Sequence, residues 1–174
     1  MSHATGELCK SRPNSRFHGR WRDAAGVEMI IRIPQRVKED CVVCAVAMVM
    51  GHPYNYERVL RDSANYPAIT GDGSFLAWWE GYLRDEGFQI TYRRFLDLYE
   101  LPRFRGSIVG LLHMNIPRLR AGHVVAVDEL GIVDPADGAK DHIVIQDYIY
   151  SRLEDGFVFD KEFLAICKYS EASC

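Results

Sequence analysis

The sequence predicts an α+β domain, on three observations. An apolar run is too long for a lone strand, a later stretch carries aromatic residues at helical spacing, and short alternating or apolar runs separated by Pro and Gly follow them. Helices first and antiparallel strands afterwards distinguish this class from a parallel α/β sheet.

Residues 1–26 are polar and lack either the helical or the strand period, so they read as a flexible arm. Lys10, Arg12, Arg16, Arg20 and Arg22 make that arm cationic; a solvated tail is the plainer reading and contact with an acidic partner the sharper one. Residues 27–174 are expected to form a single domain. VEMIIRI, from Val27, reads as a short strand stopped by Pro34. CVVCAVAMVM has no Gly or Pro until Gly51 and reads as a buried helix beginning at Cys41, with Gly51 as its stop. YNYERVLRDSA is partly helical, and PAITGDG is a loop whose Gly-Asp-Gly is a turn, not a phosphate cradle. SFLAWWEGYLRDEG has Ser74 as N-cap, a core face of Phe75, Trp78, Trp79 and Tyr82, and Gly87 as terminator. FQITYRRF alternates as a strand, and DLYELPRF reads as a short helix broken at Pro102. SIVGLLHM, HVVAVDE and GIVDP are expected to form a strand meander. IVIQDYIY, over 143–150, reads as strand-like, and KEFLAICKY as a last helix or strand.

Composition narrows the function. With 21 basic and 24 acidic side chains in 174 residues and a net charge of −3, no bulk signal for nucleic acid or membrane is present. The five cysteines (Cys9, Cys41, Cys44, Cys167, Cys174) include one C-x-x-C without a second pair or a nearby His, so no metal site or cofactor is expected and a reducing compartment is the natural setting. The start holds no apolar run fit for a signal peptide, and no uncharged stretch approaches the ~20 residues of a membrane span. A soluble, cytoplasmic protein is expected, with export by a dedicated secretion machine left open.

A thiol attacks as its thiolate, and the N-terminus of a buried helix stabilises that anion with free N–H groups and the positive end of its dipole. Cys41 sits at such a position. A His must accept the proton and return it to the leaving group, and a third polar side chain must hold the imidazole. His123 opens one apolar run and Asp134 ends the next. A turn near Glu129 to Gly131 would put position 134 across from about 125 or 126, close to His123. Gln35, six residues before Cys41, is the candidate side-chain donor to an oxyanion. His113 and His142 compete for the role of base, and Asp128 and Asp137 for that of orienting acid. Cys44 reads as core packing, His52 as a helix C-terminal feature, and Asp40 as the N-cap of the Cys41 helix.

These residues carry a resemblance. Gln35, four residues, then Asp40-Cys41 resembles the Gln-x4-Asp-Cys start of the bacteriocin-processing, double-glycine leader peptidases and their relatives in the papain-like cysteine peptidase superfamily. CAVAMVMG is similar to that family's nucleophile helix, GDGSFLAWWEGYLRDEGF to its second helix, and GHVVAVDELGIVDPADG to its closing His strand and Asp-Pro turn. The likeness spans roughly 33 to 138. Val42 stands where the family has Gly, and Val124 where it has an aromatic residue. The resemblance implies a papain-like fold, with Cys41 as nucleophile, His123 as base, Asp134 as orienting acid and Gln35 in the oxyanion hole. The activity it implies is hydrolysis of a protein or peptide amide bond through a thioester. Deamidation and acyl transfer use the same machinery, and a non-catalytic peptide-binding module is the reading from another class. A protein or peptide substrate is the expected partner, with neither nucleic acid nor membrane; the sequence leaves the oligomeric state open.

Overall fold

The computed structural model describes residues 21–22, 28–38, 40–51, 54–66, 77–94, 109–119, 121–128, 130–136, 138 and 142–167. Ser74, Phe75, His52, Asp137, Cys9, Cys174 and the helix expected over 97–104 lie outside them. The first short pairing joins β1 (Trp21–Arg22) to β2 (Glu28–Met29), so among the described residues the strand of the first segment is Glu28–Met29, and the end of the polar arm supplies its partner. Beyond β2, the Ile30 N–H donates to a carboxylate oxygen of Asp128 at 2.9 Å, tying this segment to the main sheet.

Helix α1 (Cys41–Met50) is buried along its whole length, which is why it carries no polar face. It ends where Gly51 takes φ 66°, a left-handed value that suits a residue without Cβ, and donates its N–H to the Ala47 carbonyl at 3.1 Å. Helix α2 (Tyr56–Ser63) starts at Asn55, whose side chain accepts from the Arg58 N–H at 2.9 Å. Helix α3 (Ala77–Asp85) buries Trp79, Tyr82 and Leu83 and leaves Trp78 half-buried. The chain then turns at Gly87 (φ 83°), with Phe88 N–H reaching the Leu83 carbonyl at 2.8 Å.

The main sheet contains β3 (Gln89–Arg94), β4 (Val109–Ile116), β5 (Ala121–Asp128), β6 (Gly131–Val133) and β7 (Val158–Cys167). Its order is β3-β7-β4-β5-β6 and every pairing is antiparallel. The predicted meander is β4-β5-β6, and the last segment, left between helix and strand by its sequence, becomes β7 in the middle of the sheet. Helix α4 (Ile145–Glu154) connects β6 to β7.

The sheet is covered on both faces. On β5, Val124 and Ala126 pack into a core with α1, α2 and α3, while Val125 and Val127 pack with Tyr148 and Ile149 of α4. This arrangement corrects the strand-like reading of 143–150. Ile143 makes a single antiparallel bridge to Ile132, and the helix begins two residues later. Tyr148 and Ile149 are its buried residues, Asp147 lies in its first turn and Arg152 in its last, a charge placement that complements the helix dipole. Among the described residues the architecture is thus four α-helices and an antiparallel five-stranded sheet. Among the described residues, no helix is long and apolar enough to cross a membrane.

Candidate active site

Cys41 is the first residue of α1 and only 5% exposed. Asp40 occupies the N-cap position but makes no side-chain cap. Its Oδ2 turns back to accept the N–H groups of Arg36 (3.1 Å) and Val37 (3.2 Å), closing the loop that leads into the helix. The expectation of an ordinary N-cap is corrected accordingly: the carboxylate binds amides ahead of the helix. The first intrahelical bond runs from Cys44 N–H to the Asp40 carbonyl at 3.0 Å, so the amides of the first turn receive nothing from Asp40 and face the thiol end of the helix.

The hairpin β5-β6 brings the other two groups to that end. Ala126 pairs with Val133 and Val127 with Ile132; continuing this register puts Asp134 opposite Val125, two residues from His123 on the same face. The side chains meet there, with His123 Nε2 to Asp134 Oδ1 at 2.8 Å. With Nε2 so engaged, Nδ1 is the ring nitrogen left for another partner, and Cys41 lies near enough for its charge to act on the imidazole.

Charge follows from these contacts. Burial alone would disfavour protonated His123, but the hydrogen bonds to Asp134 and Cys41 and their negative charge outweigh it and raise its pKa to about 9. Burial likewise opposes ionised Asp134. The bonds and charge of His123, with bonds from the Tyr148 hydroxyl and the Ala136 N–H, outweigh it and hold the carboxyl well below the usual carboxylate range. The Cys44 thiol, one turn along α1, is pushed up to about 12 by burial, with the charges of Asp40 and Cys41 adding to it. It packs in the core, and its sulfur lies 3.7 Å from the Pro34 carbonyl.

Sequence reasoning missed the groups that hold Asp134 from behind. Oδ1 accepts the Ala136 N–H at 2.8 Å; Oδ2 accepts the Tyr148 hydroxyl at 2.5 Å and Arg152 Nη2 at 3.1 Å. Tyr148 and Arg152 are one helical turn apart on α4, a signal present in the sequence but concealed when 143–150 is read as a strand.

Gln35 lies on the wall of a cleft of about 490 Å³ that also reaches His123 and Asp134. Its backbone N–H donates to the Pro135 carbonyl at 2.9 Å, and its side-chain Nε2 donates to the Lys38 carbonyl at 2.5 Å. The amide is therefore occupied within its own loop. Arg32 joins the same turn, giving Nε to the Asp134 carbonyl and Nη2 to the Pro135 carbonyl, each at 3.1 Å.

The competing residues have other work. His142 Nε2 bonds Asp128 Oδ2 at 2.8 Å, and Asp128 Oδ1 accepts the Leu130 and Gly131 amides at 2.8 and 3.2 Å, so this second His–Asp pair closes the β5-β6 turn. His113 lies opposite Val124, on the sheet face turned from His123. Its ring sits over Gly122, where an added Cβ would come within 2.7 Å of Nε2. Among the described residues, no group of three or more His, Cys, Asp or Glu could hold a metal ion.

The structure thus places His123 and Asp134 with Gln35 on one cleft wall, and Cys41 near enough to His123 to act on its charge. Such a set can move a proton from thiol to imidazole while the carboxylate fixes the ring. No protein-family model matches the chain, and no curated protein matches it at a significant level.

Proposed function

We propose that the chain is a papain-like cysteine peptidase that cleaves a protein or peptide amide bond. The observation that carries this reading is the bond between His123 Nε2 and the buried Asp134, with Cys41 at the start of α1 near enough to act on the imidazole. In the proposed reaction the Cys41 thiolate attacks the carbonyl carbon. The tetrahedral oxyanion is stabilised by amides of the first turn of α1 and by the Gln35 side chain, once that amide leaves the Lys38 carbonyl. Protonated His123 gives its proton to the leaving nitrogen, the C–N bond breaks, and a thioester remains. Water, deprotonated by His123, releases the acid and restores the thiol. Transfer of the acyl group to another amine, or attack on a glutamine side chain, would use the same steps.

One observation favours the alternative of a peptide-binding module: the Gln35 amide is bonded within its own loop. Alkylation separates the two readings. Brief treatment with dilute iodoacetamide near pH 6 leaves an ordinary thiol of pKa about 8.5 almost wholly protonated. The peptidase reading expects fast, single labelling at Cys41 that slows in His123→Ala. Slow labelling scattered over the cysteines would refute it and leave the binding module.

A further inference from the structure

We propose that the substrate of this site is an acidic peptide, one that carries carboxylate side chains into the cleft beside His123. The inference rests on the peptidase reading above and adds to it the substrate class. The chain as a whole is slightly acidic, at −3. The cleft is not: among its twelve described lining residues are Arg32, Arg36, Lys38 and Arg152, against the single carboxylate of Asp134. That carboxylate is fully buried at the back of the site and bonded to His123, Tyr148 and Arg152, so it presents no negative surface to a ligand.

The four cations are not equal. Arg152 is committed to Asp134, and Arg36 is paired at 2.6 Å with Glu57, although both partners of that surface pair are more than half exposed and screened by solvent. Arg32 is half-buried, and two carbonyl oxygens of the 134–135 turn orient its guanidinium on the cleft wall. Lys38 is exposed on the loop between Gln35 and Cys41. Cations set along a cleft with low-dielectric walls concentrate the field there, raising the local concentration of anionic ligands and repelling basic ones. Arg32 and Lys38 both line the cleft that reaches His123 and Gln35, so carboxylates of a peptide lying in it would meet them.

The test compares alkylation of Cys41 by iodoacetate and by iodoacetamide, reagents of nearly equal size that differ by one negative charge, each referred to free cysteine. The wild type is expected to favour iodoacetate, with the preference falling as salt is raised from about 0.02 M to about 0.5 M. An imidazolium at His123 would contribute to that preference, so the decisive arm is Lys38→Glu. It should cut the iodoacetate-to-iodoacetamide ratio at least threefold, the ratio cancelling any change in the thiolate population common to both reagents. Arg61→Glu, the same charge change on the exposed face of α2, should leave the ratio unchanged. A capped Glu-Glu-Gly-Gly-Glu-Glu peptide should slow iodoacetamide labelling, and its Lys counterpart should not. If Cys41 is labelled rapidly but Lys38→Glu leaves the ratio unaltered, or the two peptides protect equally, the acidic-substrate proposal is overturned and the peptidase reading stands. If Cys41 reacts no faster than the other thiols with either reagent, the peptidase reading falls and takes this one with it.

Discussion

Replacing Tyr148 by Phe removes one hydroxyl and leaves the ring. In the structure that hydroxyl donates to Asp134 Oδ2, the ring is 3% exposed against the sheet, and the Arg152 guanidinium lies 4.9 Å from its centroid. A hydrogen bond to a charged group contributes roughly 1.5–3 kcal/mol. Asp134 keeps His123, Ala136 and Arg152 as partners, so the lower end applies, about 1.5–2 kcal/mol. At ~2–4 °C per kcal/mol for a domain of this length, the melting temperature should drop by about 3–8 °C at pH 6. The sign with pH follows from linkage. The folded pKa of Asp134 is depressed, so its stabilising contribution is present above its unfolded value and is lost as pH falls through the folded one. The gap between Tyr148→Phe and wild type should therefore be full at pH 6 and shrink as the medium becomes strongly acidic. His123 should stay elevated, because an acid relieved of one donor accepts more strongly from another. Calorimetric melts from pH 6 downward measure the gap, and the His123 proton titration followed by NMR measures the rest. An unchanged melting temperature at pH 6, or a gap that widens in acid, would refute the reasoning.

Two further outcomes are expected. The His123 pKa is raised to about 9, so its stabilising contribution is complete below its unfolded value and is lost as pH rises from about 6.5 through 9. Denaturant unfolding of the wild type should show a loss of up to roughly 3 kcal/mol across that window; the Asp134 limb in acid reports the same ion pair from its other end, so the two are not summed. Cys44→Ala removes a fully buried thiol whose sulfur meets the Pro34 carbonyl. It should cost about 1 kcal/mol and leave the rate of Cys41 alkylation within twofold, as checked by unfolding and by timed mass spectrometry.

The β5-β6 hairpin was legible because strand pairing across a short turn is a local matter. From the turn at 129–131 the sequence puts position 134 opposite about 125 or 126, and the observed register, which ends with Ala126 opposite Val133, extrapolates to 125. The start of α1 was legible because a ten-residue apolar run ending at Gly leaves few alternatives. What was hidden depended on distant chain. IVIQDYIY has the β-branched residues and alternation of a strand, and it becomes mostly helix because Tyr148 and Ile149 have the second sheet face to cover. No pattern in the sequence announces that a face assembled from β4, β5 and β6 is waiting for them. The Asp40 carboxylate was misread for a similar reason: an N-cap is the local rule, and here amides of the upstream loop outcompete it.

The turn at Asp134–Ala136 explains how these separate pieces keep one geometry. Its side chain fixes the imidazole, its Ala136 amide fixes the side chain, and its two carbonyls hold Arg32 and the Gln35 backbone. The loop that ends at Cys41 is thereby tied to the residue that orients His123. From the other side, Val124 and Ala126 of β5 share a core with the whole of α1, which keeps the Cys41 helix against the His123 strand. Helix α4 closes the arrangement by pinning Asp134 through Tyr148 and Arg152. Thiol, imidazole and carboxylate come from three different elements, yet each element is bonded or packed to the one carrying its chemical neighbour. Loosening the turn would shift Asp134 and the loop leading to Cys41 together, whereas loosening α4 would release Asp134 alone.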